Sequence, residues 1–389
     1  LSEQRIRVDR VEGTLGNFPF SLENTTEATL SKKGFYLAPL LFHIGEGTIH
    51  GEAHNEADEI QGNLRFENMP LALSSIFVTP SATGTLDGTI TVGGTRNLPT
   101  IETTIKVSEA RLDLETAEII APLEAILNAR MDVGGLNASV TAEMKDTMTV
   151  KAQGNLPLLV RLQPIKYELP TDAPLSGSIE YTLFSAPLLL AMGIVEHQLE
   201  ATLTGRFTAS GSIGAPQASG DAHIEGGRYV NTLAGTRLDN LNLHVAADGA
   251  LLRLERCTAN AGKDGAINAA GELQLLASQQ FPFSIKTEFN NAQFAQLSYL
   301  NGRVNGALDI QGDLSGAAVV GNLVIGPVYA SMPDQLPVSE TTVLDVVEVK
   351  DGEVVEKATA VSGKSLPEVK LDIQCDIPGR VYVRAPVLD

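Results

Sequence analysis

The chain has 389 residues with no tryptophan, 5% aromatic residues, 36 glycines and a formal net charge of -19, and its pI is near 4.7. That acidity excludes nucleic acid as a partner, which would need clustered Lys and Arg to release counterions, and it opposes adsorption to an anionic membrane through a basic patch. Scarce aromatics and evenly spread apolar residues argue against several dense cores and for an extended, repetitive β-structure.

From residue 7 to 66 the chain alternates imperfectly between apolar and polar residues, with turn residues at hairpin distances. NMPLALSSIFV, from Asn68 to Val78, breaks the alternation and reads as one helical turn. From Ser81 to Leu112 a hairpin is clear. Leu86, Ile90 and Val92 share a face with Ile101, Thr103, Ile105 and Val107, and Asp87, Thr89, Thr91, Glu102, Thr104 and Lys106 face the other way.

Residues 112–130 interrupt the pattern, and the spacing of Leu123, Ile126 and Leu127 predicts a short amphipathic helix. A second helical interruption is expected over 185–198, with its helix from Leu188 to His197. From Leu199 to Phe289 strands follow one another closely, with apolar rows at Leu203 and Phe207, Leu241, Leu243 and Val245, Ile267, Ala269 and Leu273, and Phe283, Ile285 and Phe289. Glycines inside strands, at Gly88, Gly205, Gly271 and Gly306, allow bulges or tight curvature, so the sheet should curl. Residues 331–365, centred on DVVEVKDGEVVEKATAVSGK, read as an acidic, flexible loop.

The hairpin phrase recurs at Gly84–Val107, Leu203–Gly227 and Val304–Gly326. A row of such units makes one continuous all-β domain over 1–389: an elongated, curled, antiparallel sheet with one apolar face. About 15 residues per strand and turn gives on the order of 25 strands, or roughly 120 Å of sheet.

Catalytic and metal readings fail on spacing. His50 and His54 with Glu52 lie in strand phase on the polar face, where two imidazoles converge poorly on a metal. No phosphate-binding glycine loop and no nucleophile elbow is present, so no cofactor and no enzyme activity is expected. Cys257 and Cys375 lie 118 positions apart and read as two unpaired core cysteines, with Cys375 in phase with Val369, Leu371 and Ile373. No stretch approaches the roughly 20 apolar residues of a transmembrane helix. The opening LSEQRIRVDR lacks the apolar core of a secretory signal, so the chain reads as cytoplasmic or as a piece of a larger exported protein, and its strand-like ends favour the piece.

The phrases SIGAPQASGDAHIEGGRYVNTLAGTRLDNLNLHV (Ser212–Val245) and LPEVKLDIQCDIPGRVYVRAPVLD (Leu366–Asp389) resemble the TamB translocation and assembly module family of the AsmA-like group. The matching positions are Gly211, Pro216, Gly226, Gly227, Tyr229, Gly235 and Thr236, then Arg380, Val381, Val383, Arg384, Leu388 and Asp389. Ala385 and Pro386 depart from the family's glycines there. The resemblance implies a protein anchored in the inner membrane by a segment absent from this chain, crossing the periplasm of a diderm bacterium to an outer-membrane partner of the TamA type. It also implies a role in outer-membrane protein assembly and phospholipid transport.

On this reading the apolar face is a lipid-binding groove floored by Ile105, Val107, Leu203, Phe207, Leu243, Val245, Leu273, Phe283, Ile285, Leu308, Ile310, Leu371 and Ile373. Three alternatives stay open: a closed core built from the same rows, a scaffold that binds outer-membrane protein strands, and a β-helical adhesin stalk.

Overall fold

Period-two patterning is enough to fold most of the described residues as strand, with only short helical segments between. The computed structural model describes all residues except 1–2, 32–33, 77–81, 113–120, 163–164, 192–193, 195, 298, 332–348, 351–352, 355–367, 380 and 385–389. The first strands are β1 (Gln4–Val8), β2 (Glu12–Leu15), β3 (Phe18–Leu22), β4 (Thr26–Leu30), β5 (Gly34–Ile44), β6 (Gly47–Glu56) and β7 (Glu59–Pro70). A 3-10 helix over Leu71–Ile76 follows, within the break at 68–78. Next come β8 (Ala82–Gly94), β9 (Pro99–Leu112), β10 (Leu123–Asp132), β11 (Gly135–Met144), β12 (Met148–Leu156), β13 (Leu159–Leu162), β14 (Ile165–Glu168) and β15 (Ser176–Phe184).

Helix α1 (Ser185–Ala191) separates these from β16 (His197–Glu200), β17 (Thr202–Gly211), β18 (Pro216–Asn231), β19 (Thr236–Gly249), β20 (Leu251–Asn260) and β21 (Ala266–Gln274). The last strands are β22 (Phe283–Leu297), β23 (Leu300–Asp313), β24 (Gly316–Ile325), β25 (Val328–Ser331), the two-residue β26 (Val349–Lys350) and β27 (Glu353–Val354), then β28 (Glu368–Asp376) and β29 (Val381–Arg384).

Twenty-five strands form one curled sheet that does not close into a barrel. β13 with β14 and β26 with β27 stand apart as separate pairs. Strands β5 to β12 neighbour one another in chain order, and β15, β17 and the strands through to β24 continue the meander. Five places hold two strands end to end (β1 with β2, β3 with β4, β16 with β17, β24 with β25, β28 with β29), leaving 20 places for the 25 strands. At about 4.8 Å between neighbours the sheet is about 90 Å along its contour, shorter than one strand per place would make it.

Two expectations change. Leu123–Asp132 is a strand and not a helix. Leu123 and Leu127 are four residues apart, a spacing that suits one face of either element, and pairing to both β9 and β11 decides in favour of the strand. Ile126 then turns to the opposite face and is exposed. The second helix forms earlier and shorter than expected, at Ser185–Ala191, and His197 opens a strand.

The sheet is antiparallel except at one end, where β28 pairs with β24 and β29 with β25 in parallel. Parallel neighbours need a long crossover, and residues 332–367 lie between them. Most of the expected acidic loop at 331–365 lies outside the described residues.

Curvature has a recurring cause. Four residues with positive φ sit at register shifts and donate their backbone N–H to a side chain on the next strand: Asn68 (φ 50) to Asp87 Oδ1 at 2.8 Å, Glu109 (φ 53) to Glu124 Oε1 at 2.7 Å, Gly226 (φ 64) to Asn242 Oδ1 at 3.1 Å, and Asn291 (φ 47) to Asn305 Oδ1 at 2.7 Å. A bulge leaves an extra residue outside the ladder, and the side chain satisfies the amide that the ladder abandons. Replacing Asp87, Glu124, Asn242 or Asn305 with Ala is expected to cost about 0.5–1.5 kcal/mol each, and the costs should add because the sites lie on different strands. Urea unfolding of the single and quadruple variants checks this. A quadruple variant no less stable than one single would mean that the clamps do not hold the bulges.

Aromatic rings also lie over glycines of neighbouring strands, Phe66 over Gly88 and Tyr181 over Gly205, where a Cβ would meet the ring at 2.6 Å and 2.8 Å.

Candidate functional site

Because directly opposed residues in a ladder share a face, register alone places the predicted floor. From Val107 the line of partners runs through Ala125, Ala142, Val150, Tyr181, Gly205, Ala222, Val245, Leu254, Gly271, Ile285, Ile310, Val319 and Leu371. A second line starts at Ile105 and passes Leu127, Val140, Ala152, Ile179, Phe207, Gly220, Ala247, Leu252, Leu273 and Phe283. A third joins Leu203, Ile224, Leu243, Cys257, Ala269, Thr287, Leu308, Gly321 and Ile373.

All thirteen predicted floor residues therefore lie on one face, in three lanes that cross the sheet. Leu127, Val140, Val150, Ile224, Leu252, Leu254 and Val319 share those lanes and were not predicted. Leu127 was hidden by the helical reading; the others follow the same alternation and needed only their cross-strand partners to be recognised.

Outside one corner, no second sheet packs on this face among the described residues. The chain exposes 25225 Å², whereas a compact monomer of 41.2 kDa would expose about 14,700 Å². Among the described residues no large side chain is fully buried. Twelve of the thirteen floor residues are half-buried, and Leu371, on the last strand of the sheet, is 69% exposed. A closed core would have buried them.

The sheet does bend over its apolar side at one corner. The end of β22 reaches the β18–β19 turn, where Gln296 N–H donates to Gly235 O at 2.8 Å and Thr236 Oγ1 donates to Phe294 O at 2.7 Å. Beneath this clasp Ala261, Ala292 and Val304 are buried against Leu238, Ile267, Phe289 and Leu323. Small residues let the strands approach that closely.

Burial pushes the Cys257 thiol and the Tyr181 phenol above their ordinary pKa values. Neither cysteine is in a disulfide, and Cys375 is exposed where an inward core position was expected, because β28 is the last strand of the sheet among the described residues. A water-soluble maleimide should label Cys375 well before Cys257, since the thiolate is the reactive form. Equal rates would mean that Cys257 is not packed on the floor.

The polar face offers different chemistry. A hollow of 720 Å³ there is lined by hydroxyl and amide side chains, including Thr91, Asn128, Ser139 and Gln153, with one ion pair, Arg130 to Glu102 at 2.6 Å. It gives acyl chains no apolar floor. His50, Glu52 and His54 are exposed on this face, and among the described residues no group of three His, Cys, Asp or Glu side chains is placed to hold a metal ion. Among the described residues no helix is long and apolar enough to cross a membrane.

Residues 255–389, about a third of the chain, match the family model of the TamB C-terminal domain. The match covers the strands from most of β20 to β29 and includes the floor residues from Leu273 to Ile373. Neither a curated protein nor a solved structure matches the chain.

Proposed function

We propose that this chain, whose residues 255–389 belong to the TamB family, carries phospholipid along its apolar face as part of a bridge between the inner and outer membranes. The observation that supports this reading most is the three mainly apolar lanes on a face that, among the described residues, no second sheet covers. Acyl chains match such a floor because each buried methylene contributes about 0.8 kcal/mol wherever it lies, so a lipid can slide with little change in energy. The headgroup stays in water at the open side. No catalytic residue is needed, and the protein works in the periplasm as a conduit and not as an enzyme.

The edge formed by β28 and β29 favours one further element of this reading. It is the last place of the sheet among the described residues, and Val369, Val381 and Val383 on it are exposed. Such an edge can accept a strand from an outer-membrane partner of the TamA type, the family's associated protein.

Native mass spectrometry with lipid extraction on the purified chain tests the conduit. Co-purified phospholipid is the expected result. A lipid-free, monodisperse chain would overturn it in favour of a scaffold that binds protein strands.

A further inference from the structure

The β13–β14 hairpin is a separate unit that rises between β12 and β15 at the edge of the trough. Its register pairs Val160 with Tyr167 and Leu162 with Ile165, so these four side chains form one apolar face. Ile165 and Tyr167 are each 80% exposed, more than any other large apolar side chain among the described residues. A two-stranded hairpin is marginal by itself, and one that turns its apolar face to water lacks the packing that would stabilise it.

The other face of the hairpin is equally unbalanced. Arg161 and Lys166 are directly opposed in register, a like-charge pair that destabilises a ladder, and neither has a carboxylate partner among the described residues. Glu168 lies on the same face opposite Leu159 but forms no ion pair with either cation, and in a chain of net charge -19 a cationic pair without an ion-pair partner is unexpected. It is suited to an anion.

Two features tie the hairpin to the trough. Leu156, at the foot of the hairpin, is the register partner of Leu136, which pairs with Met131 on the floor face, so the apolar surface continues from the floor to the foot of the hairpin. The hairpin is also held along the rim, where Leu162 N–H donates to Arg96 O at 2.8 Å in the β8–β9 turn.

We propose that this hairpin is a flap that folds its Val160, Leu162, Ile165 and Tyr167 face over the acyl chains of a phospholipid lying on the floor between β9 and β15, leaving Arg161 and Lys166 level with the phosphodiester at the open seam. This rests on the conduit reading above. It adds a discrete holding point to a floor that otherwise binds lipid uniformly.

The test uses the purified chain incubated with phosphatidylglycerol and phosphatidylethanolamine vesicles, repurified and analysed by native mass spectrometry. Ile165→Asp with Tyr167→Asp should cut bound lipid at least fivefold with the circular dichroism spectrum unchanged, because both side chains already face water. Arg161→Glu with Lys166→Glu should lower bound phosphatidylglycerol, and added salt should lower it in the unaltered chain.

If the flap variants keep their lipid while Ile285→Asp loses it, the flap is overturned and the conduit stands. If the unaltered chain takes up no lipid, both fall. If it floats with the vesicles through Ile165 and Tyr167 yet carries no lipid away, the hairpin is a membrane-surface contact and the proposal is wrong.

Discussion

Ile285→Asp is expected to strip phospholipid from the chain and leave the β-sheet intact. Ile285 lies on the floor between Gly271 and Ile310 and is half-buried, with no second sheet over it among the described residues. In the empty trough a carboxylate there stays hydrated, so the fold loses only the apolar contacts of one side chain, about 1–2 kcal/mol. A lipid tail laid across the same position must desolvate the charge, at a cost of about 3 kcal/mol or more, which corresponds to roughly a hundredfold in affinity. Leu243→Arg should act in the same direction but more mildly, since the long stem can carry its guanidinium towards water. Native mass spectrometry and circular dichroism on the same samples read both effects. Loss of the sheet signal along with the lipid would mean that these rows are a closed core.

The largest loss of stability is expected from Gly306→Val and Gly220→Val. Both glycines lie on the floor face, opposite Leu323 and Phe207 respectively, with φ of +135 and +132, a backbone region that a β-branched residue cannot share without strain. A Cβ at Gly306 would stand 2.1 Å from Asn322 O, and one at Gly220 would stand 2.0 Å from Arg206 O. Those atoms are the backbone of the next strand, so relief requires breaking the ladder. Each substitution should cost about 4 kcal/mol or more. Gly249→Ala is the control: its φ is +64 but nothing lies within 4 Å of its Cβ, and only the left-handed backbone penalty of about 1–2 kcal/mol remains. Thermal unfolding should separate the two classes clearly. A Gly306→Val chain that melts with the control would show that the strands do not approach as described.

Period-two alternation was legible wherever both faces of a strand are chemically distinct. In β8 and β9 the predicted pairing of faces matches the observed register residue for residue, Leu86 with Val107 and Asp87 with Lys106. The mid-strand glycines pointed to curling for a physical reason, since a position without a side chain lets the neighbouring strand or ring come close. Where apolar residues stand four apart, as at Leu123 and Leu127, helix and strand share the spacing, and only the partners β9 and β11 resolve it. The β13–β14 hairpin was not foreseen. Four-residue strands on either side of a break are too short for alternation to be distinguished from chance.

From its order of residues alone, the chain determines an all-β sheet with one apolar and one polar face, because side-chain direction alternates with position whatever the neighbours are. The thirteen floor residues follow from that alternation. Tertiary structure decided the rest: the 20 places filled by 25 strands, the parallel end, the clasp over Ala261 and Ala292, the exposure of Cys375, and above all that most of the apolar face meets no second sheet among the described residues. The physical reason is that alternation specifies which residues share a face. Whether that face meets another layer, its own far edge or solvent depends on curvature set by bulges, and on which strands come to lie side by side across hundreds of residues.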